Sequence, residues 1–163
     1  MDYLELFVDA FEAIIHFSFL IIILSQKSEN VIYWWIKFTG CVLVYTCVSY
    51  FIISKYDLFI GEEVLLIIML YAASEFLCRG YRFQKLSFCL LSCIITTISS
   101  LITSIVVPIL LESPVSDVLQ QDGSQVRLVA LAFAKTTQIL LSLIVILITK
   151  TSHMKMWPCT LKT

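Results

Sequence analysis

The sequence predicts an all-α protein, a polytopic transmembrane bundle of about five helices. Of its 163 residues, 60% are hydrophobic and 14% are charged, and the mean hydropathy is +0.95. An ordinary soluble domain has roughly 25% charged residues, so this composition excludes a soluble globule. The apolar residues form long runs with short polar breaks between them. Such runs are helices, because a segment in lipid must satisfy its own backbone hydrogen bonds.

A membrane-spanning helix needs about 20 mostly apolar residues, and the first three predicted helices comprise residues 3–24, 31–53 and 58–77. The first begins with acidic residues, which makes it marginal as a spanning segment, and it could instead lie along the outer interface. The breaks that follow the first two helices, residues 25–30 and 54–57, are short. Consecutive helices are therefore expected to be antiparallel neighbours.

The last two predicted helices comprise residues 86–111 and 126–149, and a longer break with Pro114 and Gly123 separates them. No internal repeat or long linker divides the chain. We therefore expect one transmembrane domain over residues 1–150, followed by a short cytoplasmic tail over residues 151–163.

The basic residues predict the orientation, since cytoplasmic loops are enriched in Lys and Arg. One side of the predicted bundle has only Lys55 and Arg127. The other side has seven basic residues: Lys27, Arg79, Arg82, Lys85, Lys150, Lys155 and Lys162. This richer side is predicted to be cytoplasmic, with Arg79, Arg82 and Lys85 forming a basic turn. The N-terminus is then outside and the C-terminus inside.

Ionisable residues within a predicted span are the strongest functional indications, because each costs at least a few kcal/mol in lipid. Five such residues lie on one face of the first helix at spacings of 3, 4, 3 and 4: Asp2, Glu5, Asp9, Glu12 and His16. Lys135, Gln138 and Ser142 form a second polar face on the last helix. Neither face is expected to contact lipid along its whole length.

Glu12 and Lys135 are predicted to lie at the same depth, because each follows the start of its helix by nine residues. We therefore expect an ion pair between them, with Glu62 or Glu63 as the alternative partner of Lys135. Such a pair could serve a ligand site or could only fix the register of the helices. The sequence leaves both possibilities open.

The fourth helix has a stripe of small hydroxyl side chains, namely Ser92, Thr96, Ser99 and Thr103. Small and hydroxyl residues allow transmembrane helices to approach closely, so close helix packing is the expected role. A polar pathway for a solute is the alternative.

Several function classes lack a basis in the sequence. His16 and His153 are the only histidines, and neither belongs to a zinc-binding or nucleophile motif. The four glycines are isolated, so no phosphate-binding loop is present. A net charge of −1 gives no reason to expect nucleic acid binding. We expect no catalytic residue, no metal, no cofactor and buried free cysteines.

The segments "LYAASEFLCRGYRFQKLSFCLLSCIITTISSLITSIV" and "VRLVALAFAKTTQILLSLIVILITK" resemble the membrane sensor of Firmicutes histidine kinases of the GHKL type. This group includes receptors for secreted quorum-sensing peptides. In such sensors a basic turn precedes a Ser- and Thr-rich helix, and the last helix begins with Arg and contains Lys. Arg127 and Lys135 match the last feature. The resemblance covers about residues 58–150 and implies a bacterial plasma membrane protein.

The chain departs from that family after Lys150, where thirteen residues contain no kinase domain and His153 is too close to the membrane to be a phosphoacceptor. We therefore expect kinase activity to be absent from this polypeptide. The resemblance implies a sensor module that forms a homodimer, or a heterodimer with a full-length sensor kinase.

Our hypothesis is a sensory or receptor module that detects an extracellular signal, such as a small peptide, and relays it through the last helix. The candidate ligand-binding residues are Glu12, Glu62, Glu63, Asp117 and Lys135. One alternative is the substrate-binding membrane component of a vitamin or other small-solute transporter. Another is an accessory membrane protein whose polar faces only match a partner.

Overall fold

Five helices make up almost all of the computed structural model, which describes residues 3–27, 30–53, 61–112 and 125–156. They are α1 (Tyr3–Leu24), α2 (Val31–Ile53), α3 (Gly61–Leu77), α4 (Arg82–Leu111) and α5 (Gln125–Met156). Within these ranges no β-strand occurs, and the only β-type pairing is an isolated bridge between Gln26 and Cys78. The predicted all-α class with five helices is confirmed.

The bounds of α1 and α2 agree with the prediction, whereas α4 and α5 are longer than predicted. α4 begins at Arg82, four residues early, where Tyr81 is extended and its N–H donates to Gln84 Oε1 at 3.3 Å. α5 continues to Met156, seven residues beyond residue 149. Polar residues after Lys150 do not end a helix, and the next helix-breaking residue in the sequence is Pro158. The predicted start of α3 at residue 58 lies outside the described residues.

Four of the described helices are long and apolar enough to cross a membrane, rather than the five that the sequence suggested. Their apolar spans are Leu6–Leu24, Val31–Ser49, Arg82–Leu111 and Val126–Thr151. The first helix is therefore a full spanning candidate. The 17 residues of α3 measure about 26 Å, at a rise of about 1.5 Å per residue, against a hydrocarbon core of about 30 Å. The lengths and composition of these helices are compatible with a multi-pass membrane protein.

α1 is the central helix, because it contacts each of the other four. Around it α2 contacts α3, α3 contacts α4, and α4 contacts α5, whereas no contact between α2 and α5 occurs in the described part of the chain. The ring around α1 is therefore open on one side. The core includes Phe17 of α1, whose ring meets Phe38 and Tyr45 of α2 edge-on at 6.2 and 6.0 Å between ring centroids.

The outer faces of α2, α4 and α5 are strongly apolar. Ile36, Ile109 and Leu147 are examples, with 64, 72 and 65% of their surface exposed. Soluble monomers rarely expose large contiguous apolar patches. These faces are suited to contact with lipid tails.

Two loops meet at the end of the bundle opposite the start of α1, and we call residues 25–27 and 78–81 the clasp. The N–H of Lys27 donates to Leu77 O at 3.0 Å, and the N–H of Arg79 donates to Ser25 O at 3.1 Å. Lys27 Nζ donates to Glu75 O at 2.9 Å. These bonds join the α1–α2 loop to the α3–α4 loop.

The predicted basic turn is only partly a turn. Arg79 belongs to the clasp, but Arg82 and Lys85 lie in the first turn of α4 because that helix starts early. Lys85 is buried, and its Nζ lies 3.0 Å from Glu75 Oε2. The Lys85 ammonium is therefore paired with Glu75 of α3 and does not lie on the surface of a loop.

Gly80→Ala is expected to destabilise the protein by about 1–3 kcal/mol, because Gly80 has a φ of +132° that residues with a Cβ rarely adopt. The matched control is Gly40→Ala in the middle of α2, where an added Cβ meets no atom within 4 Å. Alanine there is expected to raise stability by up to about 1 kcal/mol. Equilibrium unfolding in detergent micelles measures the free energy of unfolding of both variants. Equal changes in the two variants would contradict a special backbone requirement at Gly80.

Candidate functional site

Glu12 of α1 and Lys135 of α5 form an ion pair inside the membrane-spanning region. Lys135 Nζ donates to Glu12 Oε2 at 2.5 Å. The pair predicted from the matching depths of the two residues is therefore present. The two side chains are 18 and 16% exposed, so they are shielded without being completely enclosed.

His16 extends this pair toward α4. It lies one turn after Glu12, near the middle of the Leu6–Leu24 span, and is 1% exposed. Its Nδ1 lies 2.6 Å from Ser92 Oγ, and its Nε2 lies 3.4 Å from both Glu12 Oε1 and Thr96 Oγ1. Both ring nitrogens thus have polar neighbours, as a buried imidazole requires.

Gln138 of α5 completes the group. It is 2% exposed, and its Nε2 donates to Thr96 Oγ1 at 2.9 Å. We call Glu12, His16, Ser92, Thr96, Lys135 and Gln138 the central network. It joins α1, α4 and α5 through side chains alone. In a medium of low dielectric constant such a network stabilises one arrangement of the three helices, since separating any member leaves a polar group without its partner.

The hydroxyl stripe of α4 lies in helix contacts. Ser92, Ser99 and Thr103 are buried. The Ser99 hydroxyl donates to the carbonyl of Ala134 in α5 at 2.5 Å, and the Thr103 hydroxyl donates to Ser99 O at 2.8 Å. The Ser99–Ala134 bond joins two helices, as the packing interpretation of the stripe expects, whereas the Thr103 bond lies within α4. None of the four residues lines either of the two grooves described below.

The ion pair borders a groove between α1 and α5 with a volume of about 340 Å³. We call it the α1–α5 groove. Its walls are apolar except for Lys135 and Thr136, and it is lined by Phe7, Val8, Phe11, Leu128, Leu131, Ala132, Lys135, Thr136 and Ile139. Its volume lies at the lower end of the range of small-molecule sites, roughly 300–1,000 Å³.

A second groove of about 290 Å³ lies between α2 and α3, and we call it the α2–α3 groove. It also has one lysine, Lys37, in an otherwise apolar lining that includes Phe17, Gly40, Val44 and Phe76. Lys37 Nζ lies 4.3 Å from the centroid of the Tyr33 ring. This groove is chemically similar to the first but has no part of the central network.

The candidate ligand residues are only partly brought together. Glu12 and Lys135 are in contact, and Lys135 lines the α1–α5 groove. Glu62 and Glu63 lie in the first turn of α3, but their side chains are outside the described residues, as is all of Asp117. Their predicted ligand-binding role stays a prediction.

The position of His16 at the centre of the site does not follow from the sequence pattern. The spacing had placed His16 on the polar face of α1, and the hydroxyl stripe had been identified on α4. The signal that could join them is depth, because His16 lies eight residues before Leu24 and Ser92 lies ten residues after Arg82, at the same end of the bundle. The sequence spacing likewise puts Gln138 on the same face as Lys135, but it does not indicate the hydrogen bond from Gln138 to Thr96.

The described part of the chain has no group of three or more His, Cys, Asp or Glu residues suited to hold a metal ion. Its five cysteines, Cys41, Cys47, Cys78, Cys89 and Cys93, are free thiols, and the last three are buried. Burial raises the pKa of Cys78, which lies in the clasp, to about 12. That thiol is therefore protonated at neutral pH and a poor nucleophile.

Comparisons of the chain with protein-family models, with curated proteins and with solved structures gave no match.

Proposed function

We propose that this protein is a membrane receptor module that takes up a signal molecule at the α1–α5 groove and relays its presence through α5. One observation carries this proposal: the Lys135–Glu12 pair joins the last helix to the central helix at the edge of that groove. A ligand that competes for either member of the pair changes how α5 is held.

The packing of α5 suits a relay. This helix contacts α4 and α1 but not α2 within the described residues. It extends over 32 residues without a break from Gln125 to Met156, so a shift near Lys135 is transmitted along a rigid element to the clasp end. A receptor needs two states that differ in ligand contacts. In one state Lys135 of α5 is paired with Glu12. In the other state the ligand has replaced one member of this pair.

The resemblance to GHKL-type sensors supports the same proposal. It implies a partner with kinase activity, and the partner of this proposal is a full-length sensor kinase that pairs with the chain in the membrane. The distribution of Lys and Arg supports an orientation with the start of α1 outside. In that orientation the α1–α5 groove lies in the outer half of the membrane, within reach of an extracellular signal.

Breaking the pair is expected to move α5 at the opposite end of the bundle. The test variant is Glu12→Gln, which keeps the size of the side chain but removes its charge. Spin labels are placed at Phe83 of α4 and Thr151 of α5, both exposed, through encoded reactive amino acids that spare the native thiols. Double electron–electron resonance in nanodiscs measures the distance between the two labels. In Glu12→Gln this distance is expected to differ by about 2 Å from that in the unsubstituted protein, a change typical of helix shifts in switching proteins.

Two controls sharpen this experiment. Labels at Phe83 and Ile36 report on α4 and α2, and their distance is expected to stay the same in Glu12→Gln. Lys37→Gln removes a lysine from the other groove and is expected to leave both distances unchanged. If the distance from Phe83 to Thr151 is the same with and without the Glu12 charge, α5 is not coupled to the pair and the receptor proposal fails.

A further inference from the structure

The α1–α5 groove combines an apolar lining with a cation at its inner edge. Phe7 and Phe11 are 68 and 38% exposed, so the groove opens to the outside of the bundle, where lipid would lie. A molecule can therefore enter from the membrane itself. The groove favours a molecule with an apolar body, because its mostly apolar lining offers van der Waals contacts and few hydrogen-bond partners, and packing rather than removal from water drives association within lipid.

Lys135 is the charged residue that lines the groove, whereas Glu12 holds it from behind and does not belong to the lining. The other polar lining residue is Thr136, whose hydroxyl donates to Ala132 O at 2.8 Å. A molecule in the groove therefore meets an ammonium group whose present partner is a carboxylate, and a ligand that replaces this partner needs a carboxylate or a similar anion of its own.

We propose that the α1–α5 groove binds a single-chain amphiphile with a carboxylate head group, and that this carboxylate replaces Glu12 as the partner of Lys135. The inference deepens the proposed function, on which it rests for the role of the groove as the signal site. The ligand class is that of a medium-length fatty acid.

The central network allows this exchange without leaving a charge alone. The ligand enters as the neutral acid and its proton passes to Glu12, so the ligand carboxylate pairs with Lys135 while the neutral Glu12 carboxyl keeps its second neighbour, His16 Nε2, which lies 3.4 Å from Glu12 Oε1. Lys135 has an anionic partner before and after the exchange. An uncharged head group could not compensate the ammonium in this way, since a buried charge without a partner is strongly unfavourable.

The test uses dodecanoate that carries a photoreactive diazirine on its chain, with the full-length protein in phosphatidylcholine nanodiscs. Labelling is expected on the α1 and α5 residues of the groove, located by peptide mass spectrometry. Lys135→Gln is expected to weaken binding by about tenfold or more, as the loss of a charged hydrogen bond does. Dodecanol with the same diazirine is expected to bind weaker by a similar factor.

The matched control is Lys37→Gln, because Lys37 is the single lysine of the α2–α3 groove, and binding of dodecanoate is expected to be unchanged. A second variant guards against misfolding of Lys135→Gln. Ala132 is exposed and lines the groove, so Ala132→Trp is expected to fill the groove without changing either residue of the ion pair and to abolish labelling.

Equal binding of dodecanol and dodecanoate would overturn the inference, since the groove would then accept any lipid tail. Equal loss of binding in Lys37→Gln, or labelling outside the groove, would also overturn it. If dodecanoate labels the groove and requires Lys135 but leaves the distance from Phe83 to Thr151 unchanged, the ligand class stands and the relay through α5 fails.

Discussion

Lys135→Met is expected to lower the free energy of unfolding by about 3 kcal/mol, because it leaves the Glu12 carboxylate in the membrane without its cationic partner. This loss of stability is at the lower end for a broken buried ion pair, for two reasons. The side chains of Lys135 and Glu12 are 16 and 18% exposed, and His16 remains beside Glu12 as a polar neighbour. Equilibrium unfolding in bicelles or by steric trapping measures the change.

The decisive control for this variant is the double substitution Lys135→Met with Glu12→Gln. Since it removes both charges, it is expected to be more stable than Lys135→Met alone by about 1 kcal/mol or more. If the two substitutions are simply additive, the residues do not interact in the membrane, and the description of the site is wrong.

His16→Leu is expected to cost about 2–3 kcal/mol, although leucine is of suitable size and more apolar. The histidine provides the polar neighbour of Ser92 at 2.6 Å and lies between Glu12 and Thr96. Without it, buried polar groups on two helices lose a partner, which costs about 1–3 kcal/mol for each strongly affected group.

A double-mutant cycle with Ser92→Ala separates this hydrogen bond from the general effect of packing. The coupling between His16 and Ser92 is expected to be about 1 kcal/mol, somewhat above the average of about 0.6 kcal/mol for hydrogen bonds between membrane helices. Ser100→Ala serves as the matched control on the exposed face of α4, where no coupling to His16 is expected. A cycle that gives the same value for both serines would contradict the assigned contact.

Much of the architecture follows from hydrophobic patterning, because lipid permits few alternatives to helices. The bounds of α1 and α2 were predicted to the residue, since polar residues flank both runs. The early start of α4 was missed because Arg82 and Lys85 were treated as loop residues on account of their charge. Arginine and lysine are good helix formers, and Glu75 compensates the buried Lys85.

The candidate site was predictable where it depended on depth alone, as the Glu12–Lys135 pair did. The contacts of His16 also depend on how α1 and α4 are rotated about their axes, and that rotation is set by packing along both helices. The central place of α1 also does not follow from the local sequence pattern, since a helix with one polar face can lie in the middle of a bundle or at its edge. The orientation in the membrane and the family resemblance stay predictions.

The pairing of Glu12 with Lys135 also has a consequence for biosynthesis, because the two residues are 123 positions apart in the chain. At about 5–20 residues per second, a ribosome needs roughly 6–25 seconds to make that stretch. During this time the Glu12 carboxylate of α1 is present without Lys135, its partner in the folded bundle. The bundle is thus completed only by its last helix. Nascent chains stalled before α5 are expected to be degraded by membrane proteases faster than the chain that includes it.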